Sequence, residues 1–133
     1  MDDLYPGWNG LQAGASYLVS QILQPLKTNG SASWQQWDWA RNIRGGDDVG
    51  DGWRELREPG LVIVEGCGSG SLESLELSDD SVWIESGAET RRNRFLSRDS
   101  GIFSNEYANW TLQEDEFYQK NRTTALCAAT LQN

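Results

Sequence analysis

The 133-residue chain contains no histidine, which removes imidazole as general base, as metal ligand and as triad member in one step. Any catalysis must therefore run on carboxylates. Lysine is nearly as scarce. The only two are Lys27 and Lys120, and neither follows a glycine, as the lysine of a phosphate-cradling Gly-x-x-x-x-Gly-Lys-[Ser/Thr] loop must. No apolar run approaches the roughly 20 residues that cross a bilayer, and the opening Met1-Asp2-Asp3-Leu4-Tyr5-Pro6 carries acid where a signal peptide carries base. A cytoplasmic location without a membrane partner is expected. Eleven basic residues against twenty acidic ones leave a formal charge of -9, which argues against nucleic acid, since such partners are held by clustered Lys and Arg. Cys67 and Cys127 each lie inside an apolar segment and read as buried free thiols of a reduced compartment. The sequons at Asn29, Asn109 and Asn121 carry little weight without secretion.

What is present is enough for one domain with a real core. From Leu11 the apolar residues Leu11, Ala15, Leu18, Ile22 and Leu26 recur at helical spacing, with Asn9 and Gln12 placed as a capping box and Pro25 near the helix end. A polar turn at 28–33 leads to the aromatic-dense Trp37-Asp38-Trp39. Residues 45–52, rich in glycine and aspartate, cannot pack and read as a solvated loop or a mobile flap. Leu61-Val62-Ile63-Val64 is a continuous apolar run between Pro59-Gly60 and Glu65-Gly66, the pattern of a strand buried on both faces of a parallel sheet. Helices are expected over 72–77, 88–98 and 107–120, a second apolar run falls at Ser81-Val82-Trp83-Ile84, and the chain closes on 125–131. Alternating strands and helices point to an α/β layered domain over 1–133.

Each candidate motif has a functional and an ordinary reading. Glu65 stands at the end of the expected buried strand, where α/β sheets collect ligands and where a carboxylate can hold a metal-bound water or a reacting hydroxyl; an acid can equally just end a hydrophobic run. The glycines after it are spaced Gly-x-Gly-x-Gly, which is not the dinucleotide fingerprint. Asp2 and Asp3 point to opposite faces if the segment is extended, so one of them enters a site, or both belong to a solvated acidic turn. Arg91, Arg94 and Arg98 share a helix face that can clamp phosphate oxygens with forked donors or offset the acidic surface. Trp37 and Trp39 suit stacking on a flat ring, and Trp53, Trp83 and Trp110 suit a core.

Met1 to Trp8, Trp37-Asp38-Trp39, Val62-Ile63-Val64-Glu65-Gly66, the arginine-rich stretch 91–99 and Trp110 through Glu114-Asp115, taken in this order, resemble the uridine-kinase-like P-loop small-molecule kinases of the compact actinobacterial type. The resemblance spans nearly the whole chain. It implies a three-layer α/β fold, a parallel sheet flanked by helices, and an ATP- and Mg2+-dependent transfer of phosphate to the hydroxyl of a small-molecule acceptor, nucleoside-like compounds among them. On that pattern Asp2 is the base toward the acceptor or a magnesium ligand, and Glu65 organises the magnesium shell. Tyr5, Trp37, Asp38 and Trp39 line the acceptor pocket, while Arg91, Arg94 and Arg98 form a lid over the nucleotide phosphates, Arg94 and Arg98 stabilising the transferred charge.

One departure stands against this pattern, because the phosphate-binding loop is missing. In the family that loop and its strand lie just upstream of the motif that begins here at Met1, so the expectation is a C-terminal part of a longer domain, with Met1 an internal methionine or the chain trimmed. Loss of about 30 to 40 residues, one βα unit with its loop, removes a central strand and leaves its neighbours with unpaired backbone open to self-association. The chain should then bind ATP poorly. A different class also fits: a non-catalytic α/β binding domain that has shed nucleotide binding and kept the aromatic pocket. A hydrolase built on Asp38 and Glu65 has no spacing rule behind it.

Overall fold

The computed structural model describes residues 1–45 and 51–133. Most of the glycine- and aspartate-rich loop expected at 45–52 thus lies outside the described residues, as do the side chains at 99 and 100. The helical stripe predicted from Leu11 forms α1 (Leu11–Leu18), passes through a π-helical turn (Val19–Leu23) and continues as α2 (Gln24–Asn29). Pro25 explains the wide turn. It has no N–H to donate and its ring crowds the carbonyl four residues back, and a π turn relieves both. Gly30, with φ of 69°, ends α2 in the left-handed region, where glycine has no steric cost. The expected capping box does not form: the N-cap is Gly10, without a side-chain hydrogen bond.

β1 (Ser31–Gln35) pairs antiparallel with β4 (Trp53–Arg57), Ala32 opposite Leu56. The two-residue β2 (Trp37–Asp38) pairs with β3 (Ile43–Arg44). After α3 (Leu72–Leu77), whose Ser71 cap accepts from the Ser74 N–H, come β5 (Val82–Glu85), α4 (Ala88–Ser97), α5 (Tyr107–Asn121) and α6 (Thr123–Leu126). β6 (Ala129–Gln132) then runs parallel to β5.

These are three separate two-stranded pairs, and the expected three-layer parallel sheet is not present among the described residues. The apolar run read as its most buried strand is not a strand. Leu61 and Ile63 are 79% and 80% exposed, and 61–65 carries no strand assignment. Hydrophobic side chains favour an extended backbone, but a sheet also needs neighbours for each N–H and C=O. No described strand pairs with this segment.

The core has two centres along one helix. Leu18 and Ile22 join Leu4 and Ala32, with Trp34, Tyr17 and Val64 against them. Leu11 and Ala15 instead pack on Phe117 of α5, with Cys67, Trp110 and Tyr118 alongside. At about 1.5 to 3 kcal/mol for each large aliphatic or aromatic side chain buried, the 11–29 helix is the element on which the fold is assembled. Gly14 lies where a Cβ would come within 2.6 Å of the Tyr5 ring, so the helix and the N-terminal turn touch at a point that admits only a hydrogen.

Candidate aromatic site

The N-terminal turn is tied down at both ends. The Met1 amino group donates to the Glu65 carbonyl at 3.0 Å, and the Tyr5 hydroxyl donates to the Cys67 carbonyl at 2.6 Å. Pro6 and then Gly7, with φ of 76°, reverse the chain and deliver Trp8 to the centre of an aromatic group. Trp8 meets Phe103 at 5.2 Å, Trp39 at 5.3 Å, Trp110 at 5.9 Å and Phe95 at 6.1 Å between ring centroids. None of the four is a stacked sandwich; tilted and edge-on arrangements of this kind suit the ring quadrupoles. The Trp8 carbonyl accepts from Gln113 Nε2 at 2.8 Å, which joins the turn to α5.

The predicted Trp37-Asp38-Trp39 segment docks on the acidic turn through backbone. The Trp37 N–H donates to the Asp3 carbonyl at 2.7 Å, and Trp39 Nε1 donates to the Asp2 carbonyl at 3.1 Å. Asp38 is spent on its own turn, its Oδ1 accepting from the N–H groups of Ala40 and Arg41, each at 2.9 Å. That is the local bonding of an Asx turn, and Oδ2 lies 3.8 Å from the Arg41 guanidinium. Arg44 lies over the Tyr17 ring at 3.6 Å and donates to the Gln35 and Leu4 carbonyls, locking the 37–44 hairpin to the core.

Behind the aromatic group lies a polar knot. Glu114, buried on α5, accepts from the Cys67 thiol at 2.6 Å and from Trp110 Nε1 at 3.0 Å on the same oxygen, and its other oxygen faces Arg91 at 3.6 Å. Burial and the Glu114 charge push the Cys67 thiol up to about 12, so it stays protonated and is no nucleophile at neutral pH. Burial likewise raises the Tyr5 and Tyr118 hydroxyls well above the ordinary phenol range, and neither serves as a base.

The residues predicted for a site separate into those brought together and those not. Asp2 and Glu65 are exposed on adjoining segments joined by the Met1 contact. Trp39 is 40% exposed beside Trp8. Tyr5 is buried, its hydroxyl bonded to the Cys67 carbonyl and its ring 4.9 Å from that of Trp110. Trp37 is half-buried, its indole nitrogen enclosed without a hydrogen-bond partner among the described residues. The three arginines expected on one helix face diverge: Arg91 on α4 faces Glu114, Arg94 reaches the Asn133 side chain at 3.5 Å, and Arg98, just past the end of α4, lies 5.9 Å from the Phe95 ring centre. Trp83 is half-buried as expected of a core residue, whereas Trp53 is 52% exposed.

Trp8, Phe95, Phe103, Cys67 and Glu114 are not among the site residues that the sequence predicts. Arg91 and Phe95, four apart on one helix face, were the legible signal that the arginine helix turns an aromatic residue inward. No group of three or more metal-ligating side chains occurs among the described residues. The two carboxylates expected to hold Mg2+, Asp2 and Glu65, lie on segments joined by the Met1 contact to the Glu65 carbonyl. An open groove of about 250 Å³ between α1 and α5, lined by Leu11, Gln12, Gln113, Glu116, Phe117 and Lys120, contains none of the predicted site residues. No described helix is long and apolar enough to cross a membrane. Comparison with protein-family models, with curated proteins and with solved structures finds no match to this chain.

Proposed function

We propose that this chain binds the alcohol acceptor of an ATP-dependent small-molecule phosphotransfer in the cytoplasm, and that these residues alone do not carry the transfer. The observation that supports it is convergence on Trp8: the acidic turn, Trp39 and α4, far apart in the chain, meet around one ring. Partly exposed aromatic faces suit a flat ring, and the exposed acids of the adjoining turn suit hydroxyl groups. Asp2 is the base of this reading, because a carboxylate at a surface turn can take a proton from a bound hydroxyl. Asp2 and Glu65 would hold Mg2+, which when bound neutralises charge on a transferred phosphoryl group. Arg94 and Arg98 add positive field on the side of α4. The sequence has no Gly-x-x-x-x-Gly-Lys-[Ser/Thr] loop to grip the nucleotide, so another segment or chain would have to supply one.

Titration of intrinsic tryptophan fluorescence with uncharged ring-bearing alcohols, nucleosides included, is expected to give a saturable quench that Trp39→Ala removes. Calorimetry with Mg-ATP is expected to show no binding in the micromolar range. A panel without any quench sinks the acceptor reading, and tight magnesium-dependent ATP binding sinks the incompleteness.

A non-catalytic binding domain is the second reading, favoured by the divergence of Arg91, Arg94 and Arg98 and by the use of Asp38 in its own turn. Asp2→Asn and Glu65→Gln decide between the two. If both leave acceptor binding intact and added Mg2+ changes it in neither the variants nor the unaltered chain, the non-catalytic reading is preferred. Self-association belongs to either reading, through the exposed apolar residues of 61–65 and of the β5–β6 pair.

A further inference from the structure

Glu114 and Arg91 form an unequal ion pair. The carboxylate is buried, and one of its oxygens already accepts two hydrogen bonds, from Cys67 and Trp110. Those donors hold it in place whatever the arginine does. Arg91, by contrast, has a side chain 44% exposed, sits on a helix with no buried residue, and touches Glu114 only at 3.6 Å. A forked, charge-assisted pair closes to about 2.7 to 2.9 Å, so this contact is loose and the arginine is the member free to move. One turn further along the same face, Phe95 packs on Trp8. Arg91 therefore sits at the edge of the aromatic group, next to Trp110, whose indole nitrogen shares the Glu114 carboxylate.

We propose that Glu114 gates an oxyanion subsite at Arg91: a phosphate-bearing ligand at the aromatic group takes the guanidinium from Glu114, and the carboxylate sets the affinity of that subsite by competing for it. The subsite belongs to the acceptor-binding reading above and gives that site its regulation, but its chemistry stands apart from which alcohol binds. The exchange needs no rearrangement of α5, because Cys67 and Trp110 keep Glu114 hydrogen-bonded after Arg91 leaves. Its distinguishing mark is sign. If Glu114 merely supported the fold, its loss would weaken every ligand, whereas loss of a competitor strengthens an anion.

The test uses inorganic pyrophosphate as probe, read by calorimetry. Glu114→Gln keeps the size of the side chain and an acceptor for the Cys67 and Trp110 donors, and is expected to bind pyrophosphate about fivefold more tightly, the scale of one partly exposed ion pair. Arg91→Ala is expected to bind about tenfold more weakly, a loss on the scale of a hydrogen bond to a charged group. Combining the two should reproduce Arg91→Ala alone, since the gain acts only through the arginine. Weaker or unchanged binding by Glu114→Gln, or a double variant that departs from Arg91→Ala, overturns the proposal.

Should Glu114→Gln fail to fold, the unaltered chain still decides. The indole N–H resonance of Trp110, assigned with Trp110→Phe, must move along the pyrophosphate isotherm as its acceptor loses Arg91. A stationary signal, or no pyrophosphate binding at all, also overturns it. Quenching by uncharged alcohols is scored separately, so failure of the acceptor reading and failure of the gate give different results.

Discussion

At the scale of single residues, the folded chain uses its functional-looking side chains in two ways, and the partner decides which. Asp38 and Tyr5 were predicted for an acceptor pocket, yet each spends its polar atoms on backbone groups nearby. Asp38→Ala removes two turn hydrogen bonds that involve a charged acceptor and is expected to cost about 1 to 3 kcal/mol, measured by urea unfolding, with little change in acceptor quenching. A large loss of quenching would restore Asp38 to the pocket. Cys67 gives a pH signature. Its folded value of about 12 lies above the ordinary 9.0, so the unfolded chain loses this proton first. The stabilisation is complete well below pH 9 and is lost as pH rises toward 12. Cys67→Ala should flatten the fall in unfolding free energy between about pH 8 and 9, where unfolded tyrosines, with an ordinary value near 10, have only begun to titrate. An unchanged slope would show that burial of the thiol contributes nothing.

Helices were legible where sheets were not, and the reason lies in how far each looks along the chain. The helix expected at 72–77 forms as α3 on those bounds, and those expected at 88–98 and 107–120 differ by one residue, as α4 (Ala88–Ser97) and α5 (Tyr107–Asn121). Spacing, a cap and a stop are all local. A strand is completed by a partner at unpredictable distance, and the apolar run at 61–64 has no such partner among the described strands. The candidate site divides along the same line. Trp39 was readable from its own neighbourhood, while the meeting of Trp8 with Phe95 and Phe103 depends on docking distant elements. Where α1 crosses the N-terminal turn, Gly14→Ala tests that docking. The added methyl meets the Tyr5 ring at 2.6 Å, and overpacking of this kind costs about 1 to 3 kcal/mol, against a gain of about 1 kcal/mol or less in helix propensity. Thermal melting should therefore show net destabilisation; a higher melting temperature would mean that Tyr5 moves aside freely.

For the whole molecule, the dominant fact is apolar surface left uncovered. Leu61, Ile63, Val82, Ile84 and Leu131 are each more than half exposed, and β-branched residues on short unpaired edges favour contact with another chain. Sedimentation velocity is expected to show a concentration-dependent increase in mass, reduced by Ile63→Lys or Ile84→Lys. A monomer at all concentrations would show that the net charge of -9 outweighs the apolar surface.

The β5–β6 pair also bears on the order of events during folding. Val82 aligns with Ala129 and Glu85 with Gln132, so this pairing closes a long intervening stretch that includes α4 and α5. Closure of that kind bears its entropic cost before any contact repays it. The helices of that stretch can form early, within their own sequence, but Arg94 finds the Asn133 side chain only after the strands have met. The Arg94–Asn133 contact would thus form only in the last phase, and a refolding experiment that follows Trp83 on β5 should show that phase lagging the far-ultraviolet helical signal of α4 and α5.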